Sequence, residues 1–180
     1  MIRKLLIFAF LPSLAASLSA ANPAIKVAAN AMSLLKPIFA AEASLQANLL
    51  GGTVDPSSVE AEIADAKKKN KVLIYTYGLS PFSTEAVSLL ESSGYEYTKI
   101  ELGAEWFLLG GEASRTRVAL AKEVSIGATS LPKIFVGGNC IGGCAELAEL
   151  VDNGEFEILL QKAKAPKKGA AAKKAFSFFN

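Results

Sequence analysis

The chain has 180 residues, 51% of them hydrophobic, with 19 basic and 17 acidic side chains and a net charge of +2. Having no histidine excludes a histidine proton relay and most zinc sites, and two cysteines, Cys140 and Cys144, neither close a metal site alone nor make a disulfide-dense scaffold. The small net charge hides an uneven layout. Residues 1–54 carry four basic and one acidic residue (+3), residues 55–161 nine and sixteen (−7), and residues 162–180 six lysines and no acid (+6).

The chain opens with the basic Met1-Ile-Arg-Lys4, an apolar run of 14 residues over Leu5–Leu18, and the small residues Ser19-Ala20-Ala21. That pattern predicts a secretory signal peptide over 1–21, since the run is short for a bilayer span; an N-terminal membrane anchor is the competing reading. No second apolar run approaches membrane length. Residues 22–55 are rich in Ala, Ser and Leu with few acids. They read either as a transit-like segment, giving the two-part leader of a complex plastid, or as an Ala-rich pro-region or linker. The expected location is the secretory pathway, ending in a lumen, outside the cell or in such a plastid.

Ser57–Lys69 has early acids and three late lysines, as the helix dipole favours, and predicts a first helix. Val72–Thr76 is a continuous apolar run, the mark of a strand buried on both faces. Glu85–Ser93 predicts a helix stopped at Gly94, and Tyr95–Leu102 alternates as a strand. After the Trp106 segment, Glu112–Val124 predicts a helix; Lys133–Val136 and Asn139–Ile141 predict a hairpin across Gly137-Gly138. Two helices, Cys144–Val151 and Glu155–Ala163, complete a domain over 56–163. The order β-α-β then α-β-β-α predicts an α/β domain, a four-stranded mixed sheet with helices on both faces. Residues 164–180 read as a basic flexible tail, with contact to an anionic membrane through Phe176, Phe178 and Phe179 as the sharper alternative. Nucleic-acid binding is not expected, because no folded basic surface backs the tail.

Between the first strand and the second helix lies Tyr77-Gly-Leu-Ser-Pro-Phe-Ser83. Further on come Thr129-Ser-Leu-Pro-Lys-Ile-Phe-Val-Gly-Gly138 and Asn139-Cys-Ile-Gly-Gly-Cys-Ala-Glu-Leu147. From about Ser58 to Lys162 these blocks resemble a glutaredoxin, of thioredoxin-like fold. The resemblance implies that Ser80 and Ser83 stand where the family carries its Cys-x-x-Cys. A hydroxyl cannot form a mixed disulfide, so the usual exchange chemistry is missing from the loop. It also implies a cis bond at Leu131–Pro132 and glutathione paired to the backbone there like an added strand. The turn at Gly143, Cys144, Ala145 and Glu146 would hold the γ-glutamyl end, with Ser80 and Phe82 completing the site. Two departures bear on that ligand: Tyr77 and Thr129 stand where the family commonly has basic residues, leaving Arg115, Arg117 or Lys122 as substitutes. Ser80-Pro81-Phe82-Ser83 also resembles plant-type glutathione transferases of the serine class, in which the first serine stabilises the glutathione thiolate. Those enzymes add an all-helical domain and continue the proline block into Glu-Ser, whereas Glu146 here precedes Leu147. For Ser80 the plain alternative is a helix N-cap.

Two readings of function follow. One is a binding module keeping a groove for glutathione or a thiol-containing peptide or protein, without loop disulfide exchange, and with no metal. The other is a glutathione-dependent enzyme using Ser80 to hold a thiolate or Cys144 to exchange disulfides, the latter because a helix N-terminus lowers a thiol pKa. Cys140 is expected to act as a small buried apolar residue.

Overall fold

The computed structural model describes residues 55–104, 111–124 and 127–169. The leader, the Trp106 segment and the end of the lysine-rich tail lie outside these residues.

Helix α1 (Pro56–Lys69) starts where Asp55 accepts a hydrogen bond from the Ser57 amide at 3.1 Å and Pro56 supplies a pre-set φ; it ends on three lysines. Its buried side chains, Val59 and Ile63, lie one turn apart. Strand β1 (Val72–Thr76) is buried at all five positions, as its unbroken apolar run requires. Helix α2 (Pro81–Ser92), strand β2 (Thr98–Glu101) and helix α3 (Gly111–Ala121) follow. Strands β3 (Lys133–Val136) and β4 (Asn139–Gly142) form a hairpin, turned by Gly137 and Gly138 at φ of +59° and +85°. Helices α4 (Cys144–Asp152) and α5 (Glu155–Lys162) close the domain.

The sheet order is β2-β1-β3-β4, with β2 parallel to β1 and the other two pairings antiparallel. Alternate side chains of β1 and β3 feed two cores, because successive strand residues face opposite ways. Val72, Ile74, Ile134 and Val136 pack with Ala86 and Leu90 of α2, Leu147 of α4 and Leu160 of α5. Leu73, Tyr75 and Phe135 pack on the other side with Val59 and Ile63 of α1 and Leu120 of α3. The result is a four-stranded mixed sheet with helices on both faces, a thioredoxin-like α/β fold.

Several stretches differ from the sequence expectation, α3 among them, which ends at Ala121 and not at Val124. Helix α2 begins four residues early, at Pro81, because Ser80 caps it. Strand β2 is confined to Thr98–Glu101, since Tyr95 pairs instead with Lys167 across an antiparallel bridge. That bridge corrects the reading of a flexible tail from residue 164. Pro166 accepts from the Glu96 amide at 2.8 Å, and the Lys168 amide donates to Gly94 at 2.9 Å. The Lys167 and Lys168 ammonium groups lie 5.1 and 5.4 Å from the Tyr95 and Tyr97 ring centres. Lys168 also pairs with Glu91, and hydrogen bonds from Lys168 and Tyr97 hold the Glu91 carboxyl below the usual carboxylate range. These lysines are spent on two aromatic rings and two carboxylates of the domain, which is why the segment docks.

Candidate functional site

Beyond β1 the chain leaves the sheet along a loop tied to the segment after β2: Gly78 donates to Gly103 at 2.8 Å and Leu79 to Ala104 at 2.9 Å. A β-carbon at Gly78 would lie 2.7 Å from Glu101 Oε1, so glycine lets that carboxylate lie against the loop. Leu79 is left exposed at the loop's tip.

Both loop hydroxyls are buried and engaged. Ser80 Oγ accepts from the Ser83 amide at 3.3 Å, and the Ser80 carbonyl accepts from Thr84 N at 3.0 Å and Thr84 Oγ1 at 3.1 Å. Ser83 Oγ in turn accepts from the Tyr77 amide at 3.2 Å. The plain N-cap reading of Ser80 therefore holds. A hydroxyl that accepts still has its own proton to donate, so capping leaves Ser80 a donor. Phe82, half-buried, packs against the core that contains Cys144.

The Leu131–Pro132 bond is cis, with both residues buried. The Pro132 carbonyl lies so close to Gly143 that a β-carbon there would approach it to 3.0 Å. Gly142, at φ +110°, has Glu146 side-chain atoms within 3 Å of where its β-carbon would sit. Glu146 Oε2 accepts from the Gly143 amide at 2.9 Å. The Gly142-Gly143 pair is thus what allows the start of α4 to fold against the cis-proline segment, while α4 itself packs on α2. Pro132, Gly143 and Glu146 come together at one end of the sheet. Ala145 sits half-buried in the first turn of α4.

Of the three proposed substitute cations, Arg117 alone reaches the proline segment. It is 2% exposed; its Nε donates to the Thr129 carbonyl at 3.1 Å and Nη2 to Thr129 Oγ1 at 3.4 Å. Lys122 pairs with Glu60, and the charge of Arg115 is felt by Asp55. Tyr77 is buried. The sequence reading gave no role to Lys133, which is 3% exposed and donates to the Ser130 carbonyl. The available signal was a lysine placed directly after the proline, at the head of a buried strand.

The structure corrects the expectation for Cys144. The residue is 5% exposed, and burial, reinforced by the charges of Glu85 and Glu146, pushes its thiol pKa up from 9.0 to about 11. A helix N-terminus offers a thiolate only about 0.3–1 kcal/mol of stabilisation. Burial wins, and at neutral pH the sulfur is a thiol. Cys140 is half-buried, its pKa also raised chiefly by burial. Both thiols are free; Cys140 packs on the α1/α3 side of the sheet and Cys144 on the α2/α4 side.

No protein-family model matches the chain. The chain is 31% identical over 107 residues to a chloroplastic monothiol glutaredoxin, S12, of Arabidopsis thaliana, covering 59% of this chain and 56% of that protein. It is 30% identical over 96 residues to a glutaredoxin of Ricinus communis, covering 53% of this chain and 87% of that one. Among solved structures, the buckwheat glutaredoxin–glutathione complex superposes with a TM-score of 0.54 at 20% identity, over 62% of this chain and 94% of its own, which is a likeness of fold. The spacing of the three motifs, the sheet order and these identities agree: the chain belongs to the glutaredoxin family.

Proposed function

We propose that this glutaredoxin-type domain binds glutathione, or an extended peptide bearing a thiol, in a groove between Ser80, Phe82, Leu131 and Pro132 and the turn Gly143–Glu146, without disulfide exchange by the loop. The observation that carries the reading is the division of labour at the two helix starts. The Ser80 and Ser83 hydroxyls, in place of thiols, are absorbed into the cap of α2. The cis-proline segment and the glycine-built turn of α4 are kept.

The residues fit glutathione at one end better than at the other. First-turn amides of α4, at Cys144 and Ala145, have no carbonyl one turn earlier in the helix and suit a carboxylate. Glu146 gives one oxygen to the Gly143 amide and has a second for an ammonium group. At the far end, Tyr77 and Thr129 supply no charge. The affinity expected is therefore weaker than a site with a lysine at residue 77 would have. The buckwheat relative's complex supports the ligand class.

A second reading, favoured by the proton left on the Ser80 hydroxyl, is a transferase-like stabilisation of bound glutathione thiolate. The chloroplastic Arabidopsis relative supports a plastid destination for a protein with such a leader. Membrane contact by the tail would rest on residues 170–180, because Lys167 and Lys168 are engaged with the domain.

Calorimetric titration of the domain with reduced glutathione tests the groove. Saturable binding abolished by Gly143→Val supports the reading; no heat at millimolar ligand overturns it. Ser80→Cys then tests the loop: a glutathione mixed disulfide should form on the variant and not on the parent.

A further inference from the structure

Two buried cations converge on consecutive carbonyls just before the cis bond. Arg117 comes from α3 and donates to Thr129 at 3.1 Å; Lys133 comes from the first position of β3 and donates to Ser130. Both are nearly sealed from water, at 2% and 3% exposure. Buried charges are costly unless well paired, so two of them tied to adjacent peptide groups fix those groups firmly. The Ser130 carbonyl and the Leu131 amide belong to one planar trans peptide unit, and their bonds point in opposite directions. Anchoring the carbonyl therefore aims the amide. In the same way the Thr129 anchor sets the plane that carries the Ser130 amide.

From this geometry we infer that Arg117 and Lys133 are positioning residues for the ligand-pairing edge at Leu131: Lys133 aims the Leu131 amide, and Arg117 holds the preceding peptide so that the aim is kept. The inference rests on the groove reading for its functional consequence. Its structural content stands apart from that reading and is measurable without ligand. It also accounts for the arrangement around residue 129. The basic side chain absent from that position is replaced by a guanidinium reaching Thr129 from α3, which acts on backbone direction and makes no contact from the surface.

The test uses the folded domain and four variants: Lys133→Met, Lys133→Arg, Arg117→Met, and Leu160→Ala as a control that destabilises the opposite core. Backbone order of the 128–131 segment is followed by 15N relaxation at a temperature where all variants are folded, and glutathione affinity by calorimetry. The Ser130 and Leu131 amide order parameters should fall from about 0.85 to below about 0.6 in Lys133→Met and Arg117→Met. They should return toward the parent values in Lys133→Arg and stay unchanged in Leu160→Ala. Glutathione binding should weaken about tenfold in the two methionine variants, and not in the control. Unchanged order parameters in Lys133→Met, or an equal fall in Leu160→Ala, overturn the inference even if glutathione binds. If the parent does not bind glutathione, the groove reading falls, while the order parameters still decide whether these cations position Leu131.

Discussion

Substituting the loop serines separately tests whether both hydroxyls are structural. Ser83 is 2% exposed and its Oγ is the acceptor for the Tyr77 amide at 3.2 Å. In Ser83→Ala that amide loses a buried acceptor, at a cost of about 1–3 kcal/mol. Ser80→Ala removes the N-cap acceptor of α2, at about 0.5–2 kcal/mol; the 3.3 Å length of that bond points to the lower half of the range. Ser83→Ala should therefore be the more damaging. In a domain of this size each 1 kcal/mol moves the midpoint by roughly 4–8 °C. Thermal unfolding followed by far-UV circular dichroism should rank the parent above Ser80→Ala and that above Ser83→Ala. The reverse order, or no loss in either variant, would refute the claim that both hydroxyls are structural. The cysteine variants extend the logic, because sulfur accepts hydrogen bonds poorly. Ser80→Cys/Ser83→Cys should introduce thiol chemistry while losing stability relative to the parent.

The parent domain should show no turnover of a glutathionylated peptide in a coupled assay, and Cys144→Ser should leave that result unchanged; turnover lost in Cys144→Ser would make Cys144 a nucleophile. Because the Cys144 pKa is raised to about 11 from 9.0, its alkylation at pH 7 should be about a hundredfold slower than that of an ordinary thiol. The same shift favours the protonated folded state, so the stability it contributes is complete below pH 9 and lost as pH rises through about 11, visible as a falling urea midpoint. Truncation after Ala163 removes the docked segment and should lower stability by roughly 1–2 kcal/mol in urea unfolding, through the lost backbone bonds to Gly94 and Glu96; an unchanged midpoint would show the segment idle. The mature protein from its native source should begin between Asn22 and about Gly52 on N-terminal sequencing, and an intact Met1 would contradict the leader reading.

The sheet was legible because its signals are strong and local. Val72–Thr76 has no polar alternation to allow a half-exposed strand, and Lys133–Val136 sits between Pro132 and a Gly-Gly turn, which leaves its bounds little freedom. The two ends of β2 were not legible. Tyr95-Glu-Tyr-Thr alternates as a strand should, yet its partner is Lys167, some 70 residues away, and no local pattern encodes that pairing. The tail failed for the same reason. Lysines between proline and glycine look like solvated chain until Tyr95, Tyr97, Glu91 and Glu157 are brought beneath them by the fold.

Cys144 shows why a motif at a helix start does not set its own chemistry. The sequence places a sulfur in the first turn of α4, where backbone amides favour a thiolate. Removing the charge from water costs more than that effect returns. Here the neighbours of the sulfur come from elsewhere in the chain: Leu147 and Ile134 close the core around it, and Glu85 from α2 adds negative charge. The same glycines that seat the turn against Pro132 let α4 lie against the core, so the geometry of the proposed groove also buries the thiol. If that groove takes glutathione, ligand binding and a protonated thiol are two consequences of one packing arrangement. A variant that opened the turn to expose Cys144 should weaken glutathione binding as it gains reactivity. Gly143→Ala is the mildest such change, since its β-carbon would meet the Pro132 carbonyl at 3.0 Å. Faster alkylation with unchanged glutathione affinity would show that the two are separable and break the argument.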